Sequence, residues 1–136
     1  MTVAVVDASV VVRWYVSDDP LHERALEIRR GYEAIAPAIL QTEVANALWK
    51  YVRIDRMQID DACESVAVLF DLIVLVEDRL LLSAAQQLSA KHDHPVYDCL
   101  YVVLAQREGV RLATADARMA KIASLVGVPT SHIGRT

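Results

Sequence analysis

At 136 residues, with 54% hydrophobic and 24% charged side chains, the chain has the size and balance of one globular domain whose core needs no disulfide or metal staple. No apolar run approaches the roughly 20 residues of a membrane helix, because "AVVDASVVVRW" is broken by Asp7 and "VAVLFDLIVLVED" by Asp71. The N-terminus has neither a basic segment nor a cleavage site, so a cytoplasmic protein with no membrane partner is expected. A net charge of −4 argues against binding nucleic acid through the overall field, but not against acids gathered around a bound cation.

In chain order, residues 2–6 ("TVAVV") read as a buried strand and "ASVVVRWYV" as a short helix. "SDDP" carries helix-start chemistry, with Pro20 at or near the first position of a helix that Gly31 stops. "EAIAP" is a strand ending at Pro37, and "AILQTEVANALWKYVR" is strongly helical. "QIDDACESVAVLFDL" is a further helix with Ile59, Ala62, Val66 and Leu69 on one stripe. "IVLVE" is a strand, and Asp78 opens the helix "RLLLSAAQQLSAKHD". "YDCLYVVLAQREG" is a helix stopped by Gly109, "VRLATAD" a strand, "ARMAKIASLVG" a helix, and "TSHI" a last short strand. Uninterrupted Val/Ile/Leu/Ala strands alternating with helices predict a three-layer α/β/α domain over residues 1–136, with a central parallel sheet covered on both faces. Sites in such sheets form at the carboxyl ends of the strands, here Asp7, the region of residue 37, the region of Glu77, and Asp116. Cys63 and Cys99 lack metal-type spacing and lie in apolar helical contexts, so buried free thiols are expected.

Most of the eighteen acids fall in loops, first turns or polar helix faces and read as solvated surface. Four do not. Asp7 and Asp116 each end a strand before a helix, where either would serve as an N-cap. Asp98 opens a very apolar helix, where the dipole favours an acid. Glu43 shares a helix face with Ile39, Leu40 and Ala47, a costly place for a carboxylate unless it is paired or bound to a cation. Taken singly, each acid but Glu43 has an ordinary structural account. Taken together, all four would converge at one edge of the sheet. Two carboxylates about 5 Å apart repel by about 3 kcal/mol at an effective dielectric of about 20, a cost that a divalent cation removes. An all-oxygen donor set suits Mg²⁺ or Mn²⁺ and points to phosphoryl chemistry.

These positions also carry a resemblance. "VVDASV", "PAILQTEVANAL" and "YDCLYVVLAQREGVRLATAD" resemble, in order and spacing, the motifs of PIN domains, and the small size is most similar to VapC-type toxins of toxin–antitoxin pairs. The resemblance implies a metal-dependent endoribonuclease with Asp7, Glu43, Asp98 and Asp116 as catalytic and metal-binding acids. It also implies supporting polar positions at Ser9, Asn46 and Thr114, a Mg²⁺ cofactor replaceable by Mn²⁺, an RNA substrate, a VapB-type antitoxin and a homodimer. "QIDDACESVAVLFDL" is one candidate dimer face.

Arg13 and Arg118 are the first candidates for gripping RNA, with Lys50 and Lys121 behind them. Trp14 and Trp49 read as packing rather than base-stacking residues. "HDH" at 92–94 reads as loop, since no third ligand lies nearby. The competing functions are a housekeeping PIN nuclease, a non-catalytic PIN-like binding module, and a haloacid-dehalogenase-like phosphatase. Ser9 argues against the last, because it stands where that chemistry needs a second acid.

Overall fold

A computed structural model describes residues 1–134. β1 (Val3–Val6) leads to α1 (Ala8–Val11), a 3₁₀ turn (Val12–Tyr15), α2 (His22–Gly31), β2 (Glu33–Pro37), α3 (Ile39–Arg53), α4 (Ile59–Ala67) and α5 (Leu69–Leu72). β3 (Ile73–Val76), a 3₁₀ turn (Asp78–Leu80), α6 (Leu82–His92), α7 (Val96–Glu108), β4 (Arg111–Thr114), α8 (Ala117–Leu125) and β5 (Thr130–His132) follow. Consecutive residues of a strand point to opposite faces, and Ala4, Val5 and Val6 are all buried, so β1 is covered on both sides. That places it mid-sheet. The order is β3-β2-β1-β4-β5, and every pairing is parallel, with Val5 opposite Ile35 on one side and Leu112 on the other.

The expected three-layer parallel architecture is therefore the one observed. Strands run outward from β1 in one direction through β2 and β3, and in the other through β4 and β5. The order reverses between β1 and β4, and in doubly wound sheets the ligand crevice lies outside the carboxyl ends at that reversal. Asp7 follows β1 and Asp116 follows β4.

α7 is the keystone of one layer. Cys99 through Ala105 are all buried, because the helix packs on β1, β2 and β4 and is flanked by α6 and α8. Gly109 ends it in the left-handed region (φ 64°), where its N–H reaches the carbonyls of Ala105 and Gln106.

Three local expectations need correction. The single helix expected across residues 58–72 breaks at Val68, whose N–H bonds back to both Glu64 and Val66; beyond the break Leu69 is fully buried and Phe70 is exposed. Gly31 does not act as a left-handed stop: α2 ends when Tyr32 turns extended, and Pro20 lies in the turn ahead of the helix. Cys99 is a buried free thiol, pushed up to about 11 mainly by burial, but Cys63 is exposed. Among the described residues no helix is long and apolar enough to cross a membrane.

Candidate active site

Asp7 is 2% exposed and does two things at once. Its Oδ1 caps α1 by accepting from the Val10 N–H (3.1 Å) and also accepts from the Ser9 hydroxyl (2.6 Å). Its Oδ2 accepts from the Thr114 hydroxyl. The two hydroxyls are themselves pinned: Ser9 Oγ accepts from the Ala115 N–H (2.8 Å) and Thr114 Oγ1 from the Asp116 N–H (2.9 Å). The ends of β1 and β4 are thus stitched together around one carboxylate. Burial pushes Asp7 up to about 6, against the hydrogen bonds from Ser9, Thr114 and Val10, and the charge of Asp116 adds to the rise.

Asp116 caps α8, its Oδ1 accepting from the N–H groups of Arg118 (2.8 Å) and Met119 (3.4 Å). Its Oδ2 takes no hydrogen bond from a described residue. Glu43 is half-buried on α3, and its Oε1 accepts from the Tyr101 hydroxyl of α7. Burial raises its pKa despite that bond, and the charges of Asp98 and Asp78 raise it further. Asp98, in the first turn of α7, lies 2.7 Å from His94 Nε2 through its Oδ2.

Three residues join this group that sequence reasoning missed. Asp78 Oδ1 accepts from the Ile39 N–H (3.2 Å), closing the start of α3, and its charge reaches Glu43 and Tyr101. Its position just past β3 was the available signal, since the strand-end rule already pointed near Glu77. Glu77 itself is exposed and paired with Arg79. Tyr101 is fully buried, and its hydroxyl is held far above its ordinary range by burial, then by Glu43, Asp7 and Asp78. It therefore links the Asp7–Asp116 pair to the Glu43–Asp98 pair. His94, read as loop, is buried at 6% exposure against Asp98.

The donor chemistry fits a hard divalent cation: carboxylate oxygens from four elements, with Asp7 and Glu43 raised partly by their neighbours' charge. Among the described residues no three His, Cys, Asp or Glu side chains stand close enough to ligate one ion as placed.

The family model for the PIN domain matches residues 4–125. The curated relative Ribonuclease VapC3 of Pyrobaculum aerophilum is 30% identical over 120 residues, which is 86% of this chain and 92% of the relative. The chain belongs to the PIN-domain family. Two solved structures share the fold of this PIN domain. VapC20 of Mycobacterium tuberculosis, a Sarcin-Ricin loop cleaving toxin, has a TM-score of 0.74 at 16% identity, covering 92% of this chain and 95% of that one. VapBC-1 of nontypeable Haemophilus influenzae has a TM-score of 0.64 at 10% identity, covering 98% and 100%.

The supporting positions expected in the PIN domain divide. Ser9 and Thr114 hold Asp7 directly, whereas Asn46 is exposed and its side chain makes no hydrogen bond among the described residues. Arg13 is not a free cationic grip: its Nε bonds Asp19 (3.1 Å) and its Nη1 donates to the Ser9 carbonyl (2.7 Å), so it braces the turn behind Asp7. The Arg118 side chain is exposed beside Asp116. Trp14 is core, its indole N–H donating to the Ala25 carbonyl (2.9 Å). Trp49 is half exposed, with the Arg53 guanidinium 4.8 Å from its ring centroid.

Proposed function

We infer that this PIN domain is an endoribonuclease, the toxin of a VapBC-type pair, and that it hydrolyses RNA phosphodiester bonds with Mg²⁺ or Mn²⁺ bound among its acids. The observation that carries this reading is the electrostatic coupling of Asp7 to Asp116 and of Glu43 to Asp98, with Asp7 and Asp116 ending the two strands between which the order reverses. Identity to a VapC ribonuclease over most of the chain supports the same activity.

Asp7, Glu43, Asp98 and Asp116 are the residues that would hold the ion. A divalent cation there neutralises the carboxylates and supplies an acidified water and charge stabilisation for the cut. The chain contributes preorganisation. Ser9 and Thr114 immobilise Asp7, and His94 aims Asp98. Tyr101 fixes Glu43, and Asp116 keeps Oδ2 available because capping engages only Oδ1. The relation to VapC toxins brings with it an antitoxin partner and a cytoplasmic site of action. Exposed Ile59 and Phe70 support the α4–α5 face as a homodimer contact.

Purified protein incubated with single-stranded RNA and Mg²⁺ or Mn²⁺ should cleave it, and EDTA or the Asp7→Asn, Asp98→Asn double variant should abolish cleavage. Cleavage persisting in either arm overturns the reading. A second expectation concerns Glu43. Tyr101→Phe removes a hydrogen bond to a half-buried carboxylate, lowering stability by about 1–2 kcal/mol. It also lets the Glu43 pKa rise further, which moves the acid limb of the pH–activity profile to higher pH. Denaturant unfolding and a pH–rate profile check the two parts.

A further inference from the structure

Beside the acidic centre runs a groove of about 690 Å³ between α8 and β5. One wall is a helical stripe, Ala117, Ala120, Lys121 and Ser124, which recurs at three- and four-residue spacing. The opposite wall is Thr130 and His132. Met119, Ile122 and Ala123 are the α8 residues buried in the core, so the groove face is a separate face of the same helix. Its upper end is tied to the centre: Ala117 follows Asp116, and the Ala115 N–H is the one that donates to Ser9 Oγ. The far wall is drawn in tightly there. A Cβ on Gly134 would stand 2.9 Å from the Ala115 carbonyl oxygen and 3.1 Å from His132 Nε2, so glycine is what lets the chain after β5 close over this point. From Ala117 to Ser124 the groove follows α8 away from the acids for about 10 Å, at 1.5 Å per residue.

The lining is chemically selective. A chain with eighteen acids and a net charge of −4 places none of them on these walls, which present, beside the apolar Leu125 and three small residues, an ammonium, an imidazole and two hydroxyls. Those are the groups that contact phosphate and ribose oxygens. Ala117 and Ala120 keep the helical wall of the groove low.

We propose that the α8–β5 groove is the track for single-stranded RNA leaving the scissile phosphate, with Lys121 and His132 on its phosphates and Ser124 and Thr130 on phosphate or ribose oxygens. This rests on the ribonuclease reading above. Steady-state cleavage of a single-stranded oligonucleotide with Mn²⁺, over a series of salt concentrations, tests it in wild type, Lys121→Glu, His132→Ala and the groove-filling Ala120→Phe. Lys121→Glu should raise KM about tenfold with kcat within about twofold, and make the log KM–log salt slope shallower by about 0.7, the share of one phosphate contact on a single strand. His132→Ala and Ala120→Phe should also act on KM. Removing nucleotides from the groove side of the cut should raise KM more in wild type than in Lys121→Glu, since the variant has already lost one of the contacts those nucleotides make. If wild type cleaves while KM and the salt slope are unchanged in all three variants, the groove assignment is wrong and the ribonuclease reading stands. If wild type does not cleave RNA with either metal, the ribonuclease reading falls and takes the groove with it.

Discussion

Asp7→Asn should destroy RNA cleavage and, in metal-free protein near neutral pH, raise thermal stability. The loss of activity should be at least about a hundred- to a thousandfold, the scale of losing one preorganised group that stabilises transition-state charge. The gain in stability follows from the buried position of the carboxylate. Its pKa rises from 3.8 to about 6 in the folded protein. Below pH 3.8 the group is protonated in both folded and unfolded chains and costs nothing. Between 3.8 and 6 the unfolded chain releases its proton while the folded one keeps it, so stability falls as pH rises. Above about 6 the full penalty of about 3 kcal/mol is in place. Asparagine carries no charge to bury, its carbonyl still accepts from Val10 N–H, and its amide must find an acceptor in Ser9 or Thr114. The net gain at pH 7.5 should be about 1–3 kcal/mol, or several degrees of Tm for a domain of this size. Thermal unfolding in EDTA at pH 4 and pH 7.5 measures it: the gap between variant and wild type should open as pH rises. Adding Mn²⁺ should reverse the order, because only wild type gains binding free energy from the ion. A variant less stable than wild type in EDTA at pH 7.5 would sink the view that the Asp7 carboxylate is held at a net cost to folding.

That double role explains what could be read in advance. The strand–helix alternation is a local property of each segment, so β1 and β4, and the acids that end them, were visible in "VAVVD" and "LATAD". Capping is local too, and it disguised Asp7 and Asp116, which do cap helices at the positions proposed to hold the ion. What stayed hidden depends on contacts through space. Tyr101 and Glu43 are 58 residues apart and meet only because α7 and α3 both reach the carboxyl edge of the sheet. On its helix, Tyr101 is one more large residue in a run buried on every side, with nothing to mark its hydroxyl as functional. Asp78 had a helix-opening explanation that sufficed on its own, yet it closes a different helix, α3. Arg13 was expected to face the cleft, but Asp19, on the following turn, claims its guanidinium. The break at Val68 carries no glycine or proline, so only packing of Leu69 into the core reveals it.

The "HDH" segment is the sharpest case, and it yields the second large expectation. His94→Ala should weaken Mn²⁺ binding by about 10- to 100-fold, the usual scale for removing a group that orients a metal ligand. An ionised carboxylate only accepts hydrogen bonds, so the contact at 2.7 Å assigns a proton to His94 Nε2 and has it donate to Asp98 Oδ2. The imidazole is held in turn by its backbone. Asp93 ends α6 in the left-handed region (φ 51°), the His94 N–H donates to the Ser89 carbonyl (3.2 Å), and the His94 carbonyl accepts from the Ser89 hydroxyl and from Cys99 Sγ (3.9 Å). Pro95 then begins α7, which carries Asp98 one turn on. Histidine and carboxylate are thus fixed on one rigid corner, and under the proposed function the Asp98 oxygen not bonded to His94 would face the ion. With alanine at 94, Asp98 keeps its place on the helix but loses the bond that selects its rotamer, so binding an ion must then supply that ordering. His94→Gln retains an N–H donor at similar reach and should recover most of the affinity. A general loss of packing would not be repaired by glutamine, which separates positioning from stability. Calorimetric Mn²⁺ titration of wild type and the two variants, alongside their Tm in EDTA, decides it: an alanine variant that binds Mn²⁺ as wild type does would show that Asp98 needs no such guide.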